Sequence, residues 1–310
     1  MAEEVWMLQT KKADFKQIGA RFRIDPVTAR IIRNRGIEGE AAIDRYLNGT
    51  LDDLYDPMLL KDMERAVSIL CEAVDTGKKI RIVGDYDIDG VCSTYILLQA
   101  FERLGSDVDF EIPDRIKDGY GINESIIEQA HADGVEVILT CDNGISAFHQ
   151  VELAKKYGMT VVITDHHEVP LDGEKEKIPP ADAVIDPKQA DCPYPFPEIC
   201  GAVVAYKLVQ VLYARRGVPQ MEWLDLLEFA AIATVGDVMK LQDENRILVK
   251  YGLKKMAQTK NLGLRRLAEK NNLDLGAITA YHIGFVIGPC LNAGGRLKTA
   301  KEALALLRAQ

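Results

Sequence analysis

The sequence predicts an α/β fold: a mainly parallel five-stranded sheet covered by helices on both faces, followed by a helical block. Three observations predict it. Short apolar runs at 80–84 (IRIVG), 108–112 (VDFEI), 135–140 (VEVILT), 159–164 (MTVVIT) and 181–185 (ADAVI) alternate with helical patterns at 91–103, 123–132 and 146–157, which is the rhythm of a parallel, doubly covered sheet. The run Val161-Val162-Ile163-Thr164 is β-branched throughout and suits a strand buried on both faces. After Pro187 the texture changes: Pro193, Pro195 and Pro197 mark an irregular loop, and helical patterns follow at 202–213, 223–235, 245–258 and 261–270.

Taken in order, residues 1–60 read as a helical amino-terminal extension, with Pro26 at a helix start and an apolar-basic periodicity through Ile31, Ile32, Ile43 and Tyr46. Met63, Ala66, Val67, Leu70, Cys71 and Val74 then fall at helical spacing, and Gly77 supplies a stop before the first strand. The expected domains are therefore 1–60, an α/β core at 61–200 and a helical segment at 201–310. The run 298–308 is amphipathic without a cap or stop signal, so the natural protein is expected to continue.

Composition narrows the function classes. With 310 residues, 27% charged and 47% hydrophobic, the chain is neither disordered nor a membrane protein. No stretch of about 18 apolar residues occurs, and Met1-Ala2-Glu3-Glu4 lacks the character of a secretory signal. A cytoplasmic protein without a membrane partner is expected. The cysteines at 71, 92, 141, 192, 200 and 290 form no C-x-x-C pair and read as reduced thiols. A net charge of −9 argues against nonspecific coating of nucleic acid. It leaves room for a local basic groove, and for acids gathered around divalent cations.

The strand ends carry the chemistry, since ligands of open α/β sheets bind at the carboxyl ends of the strands. The first strand delivers Asp85, Asp87 and Asp89, carboxylates at alternate positions that repel one another unless cations offset them. The third ends in Asp142, which reads equally as a ligand or as a helix cap. The fourth ends in Asp165-His166-His167. Adjacent histidines do not face the same way along an extended segment, so one suits a metal and the other a substrate, with Asp165 orienting an imidazole or taking a backbone amide. Asp237 emerges from the apolar run 233–236. Carboxylates with imidazoles and no thiolate cluster suit a hard or borderline divalent ion such as manganese or magnesium. So many anions imply more than one cation, and paired ions roughly 3.5–4 Å apart activate water for displacement at phosphorus.

The motifs DYDIDG, CDNG, TDHH and VGDVM, in this order, resemble the DHH phosphoesterase superfamily, and the surrounding sequence resembles its RecJ branch of single-strand-specific exonucleases. The resemblance extends to Arg35-Gly36-Ile37, to IPDRIKDGYG at 112–121 and to GPCLNAGGRL at 288–297. It implies that Asp85 and Asp87 each bind one ion of a manganese pair (magnesium being the alternative), that Asp142 bridges them, and that His166 and Asp237 complete the set. Asp89 belongs to the metal site, touching an ion or standing one step behind. His167 would face the scissile phosphate. Many relatives have a histidine where Arg81 stands, a departure of the kind RecJ-like members show. Arg115 and Arg296 are candidates for bidentate contacts to a 5′-terminal phosphate, with surface salt bridges as the plain alternative. Asn292 opens a glycine-rich loop whose amides could approach phosphate or simply turn the chain. The family often has arginine where Cys290 stands, so that contact is not assumed. Tyr120 reads as a tyrosine packed on a glycine turn or as a base-stacking platform.

The implied function is 5′-to-3′ hydrolysis of single-stranded DNA in repair and recombination, without a covalent intermediate. A 5′ DNA end is the expected partner and a single-stranded-DNA-binding protein a further candidate. The alternatives are hydrolysis of short oligonucleotides or cyclic dinucleotides, and a non-catalytic replication scaffold. A DHH-associated domain and an OB-like domain are expected beyond residue 310.

Overall fold

The computed structural model of the chain describes residues 7, 11–114, 119, 121–297 and 299–309, with backbone alone at 296 and 297. It divides into two compact units, Met1–Leu54 and Tyr55–Gln310.

The first unit holds α1 (Phe15–Phe22), α2 (Pro26–Asn34) and α3 (Glu40–Asn48). Asp14 caps α1 by accepting from the Gln17 amide, and Asp25 caps α2 from the amides of Val27 and Thr28, with Pro26 in the first helical position. Ile32, Ile37 and Ile43 form its core with Ile18, Phe22 and Tyr46 against them. Ile31 is 51% exposed, because Ile32 takes the inward position and neighbours on a helix point about 100° apart.

The second unit opens with α4 (Met63–Asp75), β1 (Ile80–Val83), α5 (Ile88–Arg103), β2 (Val108–Glu111), α6 (Glu124–Ala132), β3 (Val137–Cys141), α7 (Phe148–Lys156) and β4 (Thr160–Thr164). A small hairpin, β5 (Leu171–Asp172) with β6 (Lys175–Glu176), leads to β7 (Ala183–Ile185). The main sheet has the order β2-β1-β3-β4-β7 and is parallel throughout. Its strand order reverses between β1 and β3, which makes their carboxyl ends the crevice where such sheets bind ligands. Ile138, Val161, Ile163 and Val184 pack under α6 and α7, and α4, α5 and α8 (Gly201–Arg215) cover the opposite face. Then come α9 (Gln220–Leu224), α10 (Leu227–Gly236), α11 (Asp243–Met256) and α12 (Leu262–Lys270). The short α13 (Ala280–His282) runs through a wider π turn into α14 (Gly288–Leu297), and α15 (Lys301–Leu307) ends the described chain.

All five anticipated strands are present within two residues at either end. Three differences stand out, and the first and third have a physical reason in the contacts. The α5 helix starts at Ile88 rather than 91, because the Asp87 side chain accepts from the amides of Asp89 and Gly90 and so caps it earlier. The run 223–235 breaks into α9 and α10. The stretch from Asn292 to Arg296 is not a loop but the interior of α14. Its glycines serve packing: a Cβ at Gly295 would lie 2.5 Å from the Tyr86 carbonyl oxygen. Among the described residues no helix is long and apolar enough to cross a membrane.

Candidate metal centre

The β1 arm is shaped by two close approaches. A Cβ at Gly84 would fall 2.0 Å from the Thr94 hydroxyl, and one at Gly90 would fall 2.4 Å from the Asp85 carbonyl oxygen. Glycine at both places folds Asp85 tightly over the start of α5, where Asp85 is 1% exposed. Asp87 is the cap of that helix. Asp89, inside the first turn, has both oxygens engaged: each accepts a 2.7 Å hydrogen bond, from the amides of Gly201 and Ala202. It therefore joins the amino end of α5 to that of α8, where its negative charge offsets the helix dipole.

The β3 arm places Asp142 in a left-handed conformation, φ 61°, a region that aspartate and asparagine tolerate better than most residues. Here α8 presses closest, since a Cβ at Gly201 would stand 2.7 Å from the Asp142 Cβ. The neighbouring Asn143 ties three segments: its amide group donates to the carbonyls of Val83 and Cys141, and its oxygen accepts from the Ile122 amide.

In the β4 arm, Asp165 is 1% exposed and almost saturated. One oxygen accepts from the Ile145 amide, and the other takes the His166 amide and lies 2.7 Å from His167 Nδ1. Fixing Nδ1 in this way sets the orientation of a half-exposed ring. His166 is buried, with Nε2 lying 3.1 Å from Asp142, 3.4 Å from Asp89 and 3.9 Å from Asp237. Its Nδ1 is buried without a hydrogen-bond partner.

Asp237 follows directly on α10. Three groups can each offer ligand atoms lying within 4.8 Å of one another: Asp85, Asp87 and Asp142; Asp142, His166 and His167; and Asp89, His166 and Asp237. Asp142 is common to the first two. Burial pushes Asp85 up to about 7, with the Asp87 charge adding to it, and burial followed by Asp89 and Asp87 pushes Asp237 up to about 7. Burial also raises Asp87 and Asp142, the latter aided by four surrounding carboxylates. For Asp85 and Asp237, burial and the neighbouring carboxylates outweigh the charge of His167, to which Lys188 adds at Asp237. Asp165 differs: burial works against its charge, but the His167 hydrogen bond and the Ile145 amide hold it below the ordinary value.

The anticipated residues Asp85, Asp87, Asp89, Asp142, Asp165, His166, His167 and Asp237 thus converge at one sheet edge. Asn292 is half-buried on α14, its side-chain oxygen buried without a partner. Arg115 and Tyr120 lie outside the described residues, as does the Arg296 side chain. Arg81 stands away from the cluster, paired with Asp109 of β2 and with Asp133. Cys290 is exposed. Two residues escaped sequence reasoning. Gly201 carried no local signal. Asp186 ends β7 fully buried, and the strand-end rule that found Asp142 and Asp165 would have found it.

Residues 79–234 match the DHH family, N-terminal domain. The chain belongs to the DHH family. Within it, this DHH chain is 37% identical over 306 residues to the single-stranded-DNA-specific exonuclease RecJ of Bacillus subtilis, covering 98% of the chain and 38% of that relative. A crystal structure of exonuclease RecJ bound to manganese matches with TM-score 0.71 and 35% identity over 80% of the chain and 61% of its own. RecJ of Thermus thermophilus in complex with Mn2+ matches with TM-score 0.78 and 31% identity over 96% and 41%. The chain spans about half the length, or less, of the curated relatives it matches.

Proposed function

We propose that the chain is the catalytic core of a divalent-metal-dependent phosphodiesterase that removes nucleotides from the 5′ end of single-stranded DNA, with two manganese ions at the carboxyl edge of β1, β3 and β4. The observation that carries this reading is Asp142, shared by two ligand groups and buried beside four other carboxylates that raise it. The donor set of oxygens and imidazole, without thiolate, fits manganese or magnesium. Asp85 and Asp87 would each hold one ion, Asp142 would be shared, and His166 and Asp237 would complete the set. The two backbone amides already on Asp89 make it the residue that positions α8 and His166 instead of a principal ligand.

Bound ions of this kind supply an activated water and neutralise charge on the phosphoryl oxygens. The rest is done by side chains of the chain itself. Asp165 holds the His167 ring so that the opposite nitrogen can donate to a phosphate oxygen, and the buried bed of His166 excludes bulk water. Arg115, Arg296 and Asn292 are the proposed contacts to the 5′-terminal phosphate. Repair and recombination are the processes such an activity serves, and a single-stranded-DNA-binding protein is the proposed recruiting partner.

The deciding experiment follows 5′-labelled single-stranded and duplex DNA with manganese. Release of labelled mononucleotide from the single strand is expected, and Asp142→Ala should lower the rate on the order of a thousandfold or more. An unaffected variant would end the two-ion reading, and preference for dinucleotides over long strands would replace the substrate.

A further inference from the structure

The acidic chain contains one long stretch of opposite character: between Asn245 and Ala268 there are seven lysines and arginines and no aspartate or glutamate. Part of that charge is neutralised at home. Lys255 and Lys260 pair with Asp225, and Arg266 pairs with Glu269. The charge on α11 is also ordered. Arg246, Lys250 and Lys254 recur every four residues and share one helical face, spanning about 12 Å. The ammonium groups of Lys254 and Lys250 lie 4.7 and 5.5 Å from the centre of the Tyr251 ring, which holds them against its face.

Of that stripe Lys254 is exposed, while Arg246 and Lys250 are half-buried. The opposite side of α11 is seated on α10, where Gly252 lets the helices approach so closely that a Cβ would lie 2.2 Å from the Ala231 Cβ. Lys254 is exposed and, among the described residues, makes no ion pair. Asp237 of the candidate metal centre closes α10, and α11 begins six residues later, so one short connection joins the site to the helix that carries the stripe.

We propose that this face of α11 is a track for the phosphate backbone of single-stranded nucleic acid outside the catalytic cleft, with Lys250 and Lys254 as its contacts and Tyr251 as their support. A row of evenly spaced cations beside an aromatic ring is the electrostatic footprint of sequence-tolerant strand binding. The inference rests on the nuclease reading for its substrate class, but its test does not require hydrolysis.

Binding of fluorescent oligothymidine of about 20 nucleotides is measured by anisotropy in EDTA over a salt series. Reversing both charges, Lys250→Glu with Lys254→Glu, should weaken binding about tenfold and flatten the slope of log affinity on log salt by about 1.4, two single-strand phosphate contacts being lost. Lys12→Glu, in the other unit, should change neither, and equal melting temperatures would exclude misfolding. Tyr251→Ala should weaken binding less than the double reversal. Unchanged affinity and slope in the double variant would overturn the track, as would an equal loss in Lys12→Glu or no binding by the unmodified chain. Binding that depends on the stripe in a chain that cleaves nothing would sink the nuclease reading alone.

Discussion

Asp142 is held by what a neighbouring residue lacks. Its left-handed backbone and its burial are compatible with α8 only because position 201 has no side chain. Gly201→Ala would drive a methyl group into Asp142, while the bonds from Asp89 to the Gly201 and Ala202 amides prevent α8 from sliding aside. The expected cost is about 1–3 kcal/mol of stability, typical of overpacking, together with loss of manganese affinity of at least about tenfold from a displaced ligand. Urea midpoints and calorimetric titration measure the two. Unchanged values would mean that Asp142 is not held by this contact. The division of work in Asp165-His166-His167 was half-legible in the chain. Adjacency predicted imidazoles that face apart, whereas the two rings lie 4.5 Å from each other and both can offer a nitrogen to one group with Asp142; that meeting, like the approach of His166 to three carboxylates, follows from long-range folding that no local pattern encodes.

Elements built from local signals were the most legible. Each strand combines β-branched runs with a following helical period, and the parallel sheet follows from their alternation. The helices met by long-range packing were harder: the glycines of α14 read as a loop because their role, approach to Tyr86, depends on a partner two hundred residues away. Asn143 likewise looked like part of a motif, not like the staple between β1, β3 and the segment at Ile122. One element carries a pH signature. Glu228 of α10 is buried, accepts a hydrogen bond from Thr259, and is pushed up by burial to about 7 from 4.5. A carboxyl whose folded value is raised takes up protons on folding, so its contribution is intact below pH 4.5 and declines as pH rises through 7. Glu228→Gln removes that decline and keeps an acceptor for Thr259. The variant should match the unmodified chain below pH 4.5 and exceed its stability by up to roughly 3 kcal/mol at pH 8, read from urea unfolding at both pH values. A constant difference across that window would show that the carboxyl titrates normally.

Charge is unevenly divided over the molecule. Residues 1–54 hold nine basic and nine acidic side chains, so the whole net charge of −9 falls in the larger unit, where the buried carboxylates of the candidate centre concentrate it. That arrangement favours cation binding at the expense of the metal-free fold, because Asp85, Asp87, Asp142 and Asp237 repel one another at close range. Two opposite effects of one substitution should follow. Without metal, Asp142→Asn relieves the repulsion and should melt several degrees above the unmodified chain, the exchange of function for stability that active sites commonly show. With manganese at about a hundred times its dissociation constant, the unmodified chain should gain about 2.7 kcal/mol by linkage, roughly 5–10 °C in a domain of this size, whereas the variant should gain little. The melting order of the two proteins would then reverse between EDTA and manganese in differential scanning calorimetry. A variant that melts lower in both, or responds to manganese as fully as the unmodified chain, would remove Asp142 from the centre of the charge cluster and leave the paired-ion reading without its shared ligand.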